Sequence, residues 1–211
     1  MNLNLIEQSS IRTIADSAAS FLKADMRIAL SMGSTYEQIY PSWISKCKNL
    51  NLKFYPADER IVPITHPDSN WGKLNKLLLQ KIADDNSLSH FSQTASDYQK
   101  LLEKDFRSEK PIFDVIYLGL GTDGHTASLF PNVRYSDFPS ALETSSPNHP
   151  HKRISLSPGV LKAARELVVV VTGNSKRDVL SSIIKSKGDS PLLPILVSRS
   201  STTFIVEKGL I

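Results

Sequence analysis

The chain has 211 residues, of which 40% are hydrophobic and 22% are charged, as is typical of one globular domain with a substantial core. Its single cysteine, Cys47, excludes an internal disulfide, and we expect a reducing, cytoplasmic location. No apolar run is long enough to span a membrane, and the first residues lack a secretory-signal pattern. The net charge of +4 allows a nucleic-acid partner, but the basic residues are scattered, and a small anionic metabolite fits equally well.

Apolar strand-like runs alternate with amphipathic helical segments along the chain. Strands are predicted at 26–30, 52–55, 113–118, 153–156, 167–172 and 202–206. Helices are predicted at 7–23, 35–46, 70–82, 94–107, 158–165 and from 177 to about 185. The segment 56–70 is polar, and 132–152 carries prolines, serines and two histidines, so we expect a long loop at 132–152. The alternation predicts parallel βαβ units in an α/β layered fold, with residues 1–211 forming a single domain.

Four segments with unusual side chains follow predicted strands, and these are 31–35, 57–70, 119–125 and 173–176. Ligands of parallel α/β sheets bind beyond the carboxyl ends of the strands, so several of these segments should line one crevice. The first, SMGST, has small residues at a helix start, which favours anions. The last, GNSK, carries a lysine suited to phosphate. The alternative for SMGST is a simple capped turn without a ligand. The alternative for GNSK is a lysine that is only solvated.

His125 is the best candidate for chemistry. It ends the glycine-rich turn GLGTDGH, and an imidazole, with an unperturbed pKa of about 6.5, suits proton transfer at neutral pH. The alternative is a histidine that only bonds loop backbone. The turn also matches GxGxxG, but it lies past mid-chain, so a dinucleotide role is a weak alternative. His149 and His151 have no other potential metal-ligating residues at a suitable spacing in the sequence. His66 alone does not indicate a metal site, so we expect no metal.

Several segments together resemble the 6-phosphogluconolactonases. DERIVP at 58–63, followed by HPDSN at 66–70, resembles one family stretch, and GLGTDGHTASLFP at 119–131 is similar to the central signature. RISL at 153–156 and VTG at 171–173 with Lys176 resemble later elements. The resemblance runs from about residue 7 to 206. It implies hydrolysis of 6-phospho-D-glucono-1,5-lactone to 6-phosphogluconate without a cofactor. The implied fold is the modified Rossmann-like, parallel-sheet type of sugar-phosphate isomerases.

The resemblance also implies roles for individual residues. His125 is expected to deprotonate the attacking water and then protonate the departing ring oxygen. Asp123 is expected to orient the turn or the substrate hydroxyls, and backbone N–H groups of the turn to stabilise the oxyanion. The remaining matched positions are expected to contact substrate or phosphate, and they are Gly33, Ser34, Thr35, Asp58, Arg60, Arg153 and Lys176.

Three departures from the compared patterns matter. Met32 stands where the family usually has glycine, and a positive φ there would be strained. Phe130 stands where the related glucosamine-6-phosphate deaminases carry a glutamate that assists ring opening, and Arg60 replaces their tyrosine. Both of these differences favour the lactonase over the deaminase. A non-catalytic sugar-phosphate sensor is a further alternative, which the retained His125 disfavours. We expect a phosphosugar lactone as the partner, no nucleic acid or membrane, and a monomer or weak homodimer.

Overall fold

The computed structural model describes residues 2–82, 94–185 and 201–211. Its largest feature is a six-stranded sheet in which every neighbouring pair of strands is parallel. The strands are β1 (Asn2–Gln8), β2 (Arg27–Leu30), β3 (Lys53–Pro56), β5 (Val115–Leu118), β8 (Glu166–Val171) and β9 (Ser201–Glu207). Their order is β1-β9-β8-β5-β2-β3. The predicted α/β fold with a parallel sheet is therefore confirmed.

A second, three-stranded sheet is antiparallel and has the order β4-β7-β6. It consists of β4 (Asp58–Arg60), β6 (Ala141–Ser145) and β7 (Lys152–Leu156). One expectation is wrong here, because β6 lies within 132–152, which was expected to be a long loop. Strand β4 lies in the polar segment 56–70, where no strand was predicted. Neither strand has a clear apolar pattern of its own. Each forms because it pairs with β7, with Asp58 opposite Ser155 and Ala141 opposite Leu156.

Helices cover both faces of the parallel sheet. They are α1 (Ile11–Ala19), α2 (Ser34–Cys47), α3 (Asn70–Leu74), α4 (Gln80–Ile82), α5 (Ala95–Phe106), α6 (Pro158–Ala163) and α7 (Arg177–Lys185). A π-helical turn, Asn75–Leu79, joins α3 to α4, so the helix predicted at 70–82 is continuous but not purely α. The cap of α3 is Ser69, whose Oγ accepts the Gly72 N–H at 2.9 Å, and not Asn70 as expected. Among the described residues, no helix combines the length and apolar character needed to cross a bilayer.

The predicted opening helix over 7–23 starts too early. Residues 2–8 form β1, which pairs in parallel with all of β9. Ser10 then begins α1 with a capping box, in which its Oγ accepts the Thr13 N–H at 3.2 Å. The helical periodicity thus belongs to the segment after this cap.

The core lies on both faces of the parallel sheet. In β5, Val115 and Tyr117 pack into one cluster with Trp43, which we call the Trp43 cluster. Ile116 and Leu118 point the other way and pack into a cluster with Phe113, which we call the Phe113 cluster. This double coverage explains why the central strands are almost continuously apolar. The helices cover the faces of the sheet but not its edge at the carboxyl ends of the adjacent strands β2, β5 and β8. The polar segments that follow these strands meet at this edge.

Candidate active site

A cavity of about 240 Å³ lies at this carboxyl edge. The segments after β2, β5 and β8 line it together with β4 and β7. Eight of the nine predicted site residues line the cavity, and they are Gly33, Ser34, Thr35, Asp58, Arg60, His125, Arg153 and Lys176. The ninth, Asp123, is not on the wall but contacts His125 directly. The expected single crevice is therefore present.

His125 and Asp123 form a close pair in the turn after β5. His125 Nδ1 lies 2.6 Å from Asp123 Oδ1, and the His125 backbone N–H donates to the same oxygen at 3.1 Å. A carboxylate can only accept, so the proton of neutral His125 resides on Nδ1. This tautomer leaves the lone pair on Nε2 as the base. The pair thus has the base and orienting carboxylate that general-base catalysis requires.

The ionisation of Asp123 follows from its surroundings. Partial burial raises the pKa of Asp123, but the hydrogen bonds from the His125 backbone and ring, together with the imidazole charge, outweigh burial. The net effect holds the pKa of this carboxyl below its ordinary value. Asp123 is therefore a carboxylate at neutral pH and keeps accepting the His125 proton.

Glycine is required at position 121 by this pair. A Cβ added to Gly121 would clash with His125 Nδ1 and would lie 2.5 Å from Asp123 Oδ1. The glycine pattern that formally matches a dinucleotide motif therefore makes room for an acid–base pair.

Three backbone amides of the same turn are already engaged. The Gly121 N–H donates to the His125 carbonyl at 2.8 Å, and the Gly124 N–H donates to the Gly121 carbonyl at 3.1 Å. The His125 N–H donates to Asp123, as described above. These three groups are therefore not available to an oxyanion, and that role stays a prediction for the other N–H groups of the turn. The hydrogen bonds of these three groups hold the shape of the turn instead.

The first loop of the cavity meets the N-terminus of α2 without strain at Met32. The positive φ of this loop, +152°, falls on Gly33, the N-cap of α2. Met32 is not among the residues with a positive φ, so replacing the usual glycine there is tolerated. Thr35 Oγ1 lies 2.6 Å from Thr172 Oγ1, which connects the first turn of α2 to the loop after β8.

Arg153 and Arg60 present buried donors without partners. Arg153 is only 4% exposed, and its guanidinium lies 5.6 Å from the Phe130 ring centroid. The Nε atoms of both arginines are buried and unpaired. Because buried donors are normally satisfied, these two atoms favour an acceptor from a ligand.

Burial acts against the positive charge of two residues in the site. Burial lowers the pKa of Arg153, and Arg60 lowers it further, whereas Asp58 and Asp68 oppose them. An arginine still stays protonated at neutral pH. Burial also lowers the pKa of Lys176, while Asp123 opposes that shift. The arrangement suits an anionic group with several oxygen acceptors.

Ser128 does not line the cavity but contacts two residues that do, and it was not singled out from the sequence. Its Oγ donates to Asp58 Oδ2 at 2.7 Å and accepts from Arg153 Nη1 at 3.4 Å. The hydroxyl therefore connects two strands of the small sheet, β4 and β7, to the turn after β5. The only indication of Ser128 in the sequence was its position within GLGTDGHTASLFP. Its partners Asp58 and Arg153 come together only through the pairing of β4 with β7.

Glu59 supports the site without lining the cavity. The side chain is only 2% exposed. Its two carboxylate oxygens accept the backbone N–H groups of Asn70 and Trp71, both at 2.7 Å. Glu59 thus holds the N-terminus of α3, while Asp58 and Arg60 on either side of it face the cavity.

Comparison with known proteins agrees with this geometry. The sequence matches the family described as glucosamine-6-phosphate isomerases/6-phosphogluconolactonase over residues 4–205. The chain belongs to this family. A relative named 6-phosphogluconolactonase from Bos taurus is 32% identical over 216 residues, covering 93% of this chain and 81% of the relative. The resemblance predicted from the motifs is therefore confirmed.

Solved structures show the same fold. The 6-phosphogluconolactonase from Trypanosoma cruzi has a TM-score of 0.84 and 25% identity, covering 99% of this chain and 96% of that one. A monomeric glucosamine-6-phosphate deaminase has a TM-score of 0.76 at 18% identity, covering 98% of each chain. Both branches of the family thus share this architecture, as expected, and the fold alone does not distinguish them.

Proposed function

We propose that this protein hydrolyses 6-phospho-D-glucono-1,5-lactone to 6-phospho-D-gluconate, as in the oxidative pentose phosphate pathway. The observation that carries the proposal is the His125–Asp123 pair, 2.6 Å apart, beside a cavity that Arg60, Arg153 and Lys176 also line. The pair supplies a base and the cations suit a phosphate. The relative from Bos taurus carries the name of the same activity.

In the proposed reaction, His125 first acts as a base. Its Nε2 takes a proton from water while the water oxygen bonds to the lactone carbonyl carbon, which forms a tetrahedral intermediate. The bond from that carbon to the ring oxygen then breaks, and the imidazolium returns its proton to the ring oxygen. Asp123 keeps the ring in the required tautomer and stabilises the imidazolium. Acid–base help of this kind contributes about 10²–10⁴-fold.

The phosphate binds where positive charge and free donors converge. The N-terminus of α2 at Gly33, Ser34 and Thr35 offers backbone N–H groups and the positive end of the helix dipole. Arg153 and Lys176 supply charge from β7 and from the turn after β8. Anchoring the phosphate at one end of the cavity would leave the lactone carbonyl near His125.

Phe130 favours the lactonase over deaminase chemistry. Its ring centroid lies 5.1 Å from that of His125, and its side chain cannot exchange a proton. The glutamate expected to assist ring opening in a deaminase is therefore replaced by an apolar group that packs on the imidazole.

The decisive experiment measures both activities with the purified protein. We expect faster loss of freshly generated lactone than the spontaneous rate, and no ammonia release from glucosamine 6-phosphate. The His125→Ala variant should lower kcat by at least about 100-fold, and 6-phosphogluconate should still bind.

Three outcomes would contradict the proposal. Ammonia release without lactone hydrolysis would make the protein a deaminase. Phosphosugar binding without any turnover would indicate a sensor. Full activity in the His125→Ala variant would assign the base to another residue.

The proposal extends to the setting of the enzyme. We propose a cytoplasmic protein, active without a cofactor as a monomer or weak homodimer, with no nucleic-acid partner. Arg60, Arg153 and Lys176 all line one cavity. Their grouping there favours a small anionic substrate over the extended backbone of a nucleic acid. Cys47 is buried and free, and burial raises the pKa of its thiol to about 12. It is therefore an unreactive core residue, as is common in a reducing compartment.

A further inference from the structure

His66, Asp68 and His151 form a cluster beside the cavity. Asp68 Oδ2 lies 3.0 Å from His151 Nε2 and 4.0 Å from His66 Nδ1. One nitrogen from each histidine and one carboxylate oxygen all lie within 4.8 Å of one another. From the sequence, His151 had no co-ligand at sensible spacing. The tertiary fold brings possible co-ligands near it from a distant segment of the chain.

The small sheet brings these residues together. Strand β4 runs antiparallel to β7, and the Ile61 N–H continues the pairing by donating to the Lys152 carbonyl at 2.8 Å. His151 directly precedes β7, and the loop after β4 therefore passes beside it.

The loop that carries His66 and Asp68 is held by its own hydrogen bonds. The His66 N–H donates to the Pro63 carbonyl at 2.8 Å, and the Ser69 N–H donates to the His66 carbonyl at 3.0 Å. The loop also packs directly on α3, since a Cβ at Gly72 would clash with the Ile64 carbonyl oxygen. The backbone that carries two of the three side chains is therefore held in place before any ligand arrives.

We propose that His66, Asp68 and His151 bind one divalent cation of the zinc class, with water as the fourth ligand. Two imidazoles and one carboxylate suit Zn²⁺, Co²⁺ or Ni²⁺, whereas Mg²⁺ and Ca²⁺ prefer oxygen ligands throughout. With bonds of about 2.0–2.2 Å, tetrahedral ligand atoms lie about 3.4 Å apart. The Asp68–His151 distance of 3.0 Å is shorter than this value, and the Asp68–His66 distance of 4.0 Å is longer. Small rotations of the side chains can bring both distances to it.

The carboxylate is available to a cation. Asp68 is 54% exposed in its side chain, so an ion reaches it from solvent.

Two contacts limit the affinity. The Asp68 N–H donates to His66 Nδ1 at 3.1 Å, and an ion that binds this nitrogen must replace that hydrogen bond. Arg60 Nη1 donates to the Asp68 carbonyl at 2.7 Å, which brings a positive charge close to the site. We therefore expect micromolar rather than nanomolar binding. Because Arg60 also lines the cavity, an ion here would sit at the mouth of the active site.

The test titrates the full chain with Zn²⁺ by calorimetry and with Co²⁺ by absorption spectroscopy. We expect one ion per chain, a Kd below about 100 µM, and the absorption of tetrahedral Co²⁺. The variants His151→Ala and Asp68→Asn should each weaken binding by at least about tenfold, since even changes outside the first ligands have effects of that size.

The matched control is His149→Ala. His149 is two residues from His151 and lies outside the cluster, so its variant should keep the affinity of the unchanged protein. Circular dichroism checks the fold of each variant, and Asp68→Asn decides the test if His151→Ala does not fold. A Kd above this limit, or an equal loss in the His149→Ala variant, would overturn the proposal. Neither result depends on lactone hydrolysis.

Discussion

Gly121 is the residue on which the geometry of the acid–base pair depends. In the Gly121→Ala variant, the new methyl group would overlap His125 Nδ1 and crowd Asp123 Oδ1. Both side chains are partly exposed, so they can move apart at little loss in folding free energy. We expect kcat to fall by about tenfold to 100-fold, because displacements near 1 Å have such effects. Steady-state kinetics and urea unfolding measure the two quantities.

Gly119 provides the control for this prediction. It lies in the same turn, a Cβ there would meet no atom within 4 Å, and its φ is not positive. The Gly119→Ala variant should lose much less activity than Gly121→Ala. Similar losses in both variants would show that general stiffening of the turn, and not contact with the pair, is responsible.

Sequence motifs predicted several of the residues that line the cavity. His125 and Lys176 follow strands within recognisable sequence patterns, and both line the cavity. Ser128 and Glu59 escaped prediction because their partners belong to other elements. A hydroxyl or carboxylate gives no sign in the sequence of whether it faces solvent or a distant strand.

At the scale of elements, Glu59 joins strand β4 to helix α3. In the Glu59→Ala variant, the N–H groups of Asn70 and Trp71 lose their acceptor at a buried helix end. We expect the free energy of unfolding to fall by about 3 kcal/mol or more, since each unsatisfied buried group costs about 1–3 kcal/mol. Urea denaturation measures the change.

An exposed glutamate is the matched comparison. Glu37 pairs with Lys73 at 3.2 Å, and both side chains are exposed to solvent. The Glu37→Ala variant should therefore lose less than about 1 kcal/mol. If the two glutamate variants are equally stable, the cap at α3 does not contribute as argued.

The elements that sequence predicted correctly are those with a strong burial pattern. Strands β5 and β8 are apolar throughout because both of their faces are covered. Strands β4 and β6 were missed because cross-strand pairing, and not hydrophobicity, holds them. The sequence also did not predict the π-helical turn. The apolar residues Leu77, Leu78 and Leu79 fit a helix with α-helical or π-helical hydrogen bonds equally well.

At the scale of the whole molecule, the two core clusters lie on opposite faces of the same strands. Alternate residues of β5 belong to the Trp43 cluster and to the Phe113 cluster. Ile154 and Leu156 of the small sheet pack into the Phe113 cluster as well. Neither cluster can open without exposing the strands that the other one buries. We therefore propose that residues 1–211 form one domain, as the length of the chain led us to expect.

Cooperative unfolding tests this proposal with two spectroscopic signals. Trp43 and Trp71 are both buried in the Trp43 cluster, so their fluorescence reports on one face of the sheet. Far-UV circular dichroism reports on helices from both faces. For one cooperative domain, the two signals should change at the same urea concentration and fit one two-state transition. If the fluorescence changes at a lower or higher concentration than the dichroism, the two faces unfold separately and the chain contains more than one folding unit.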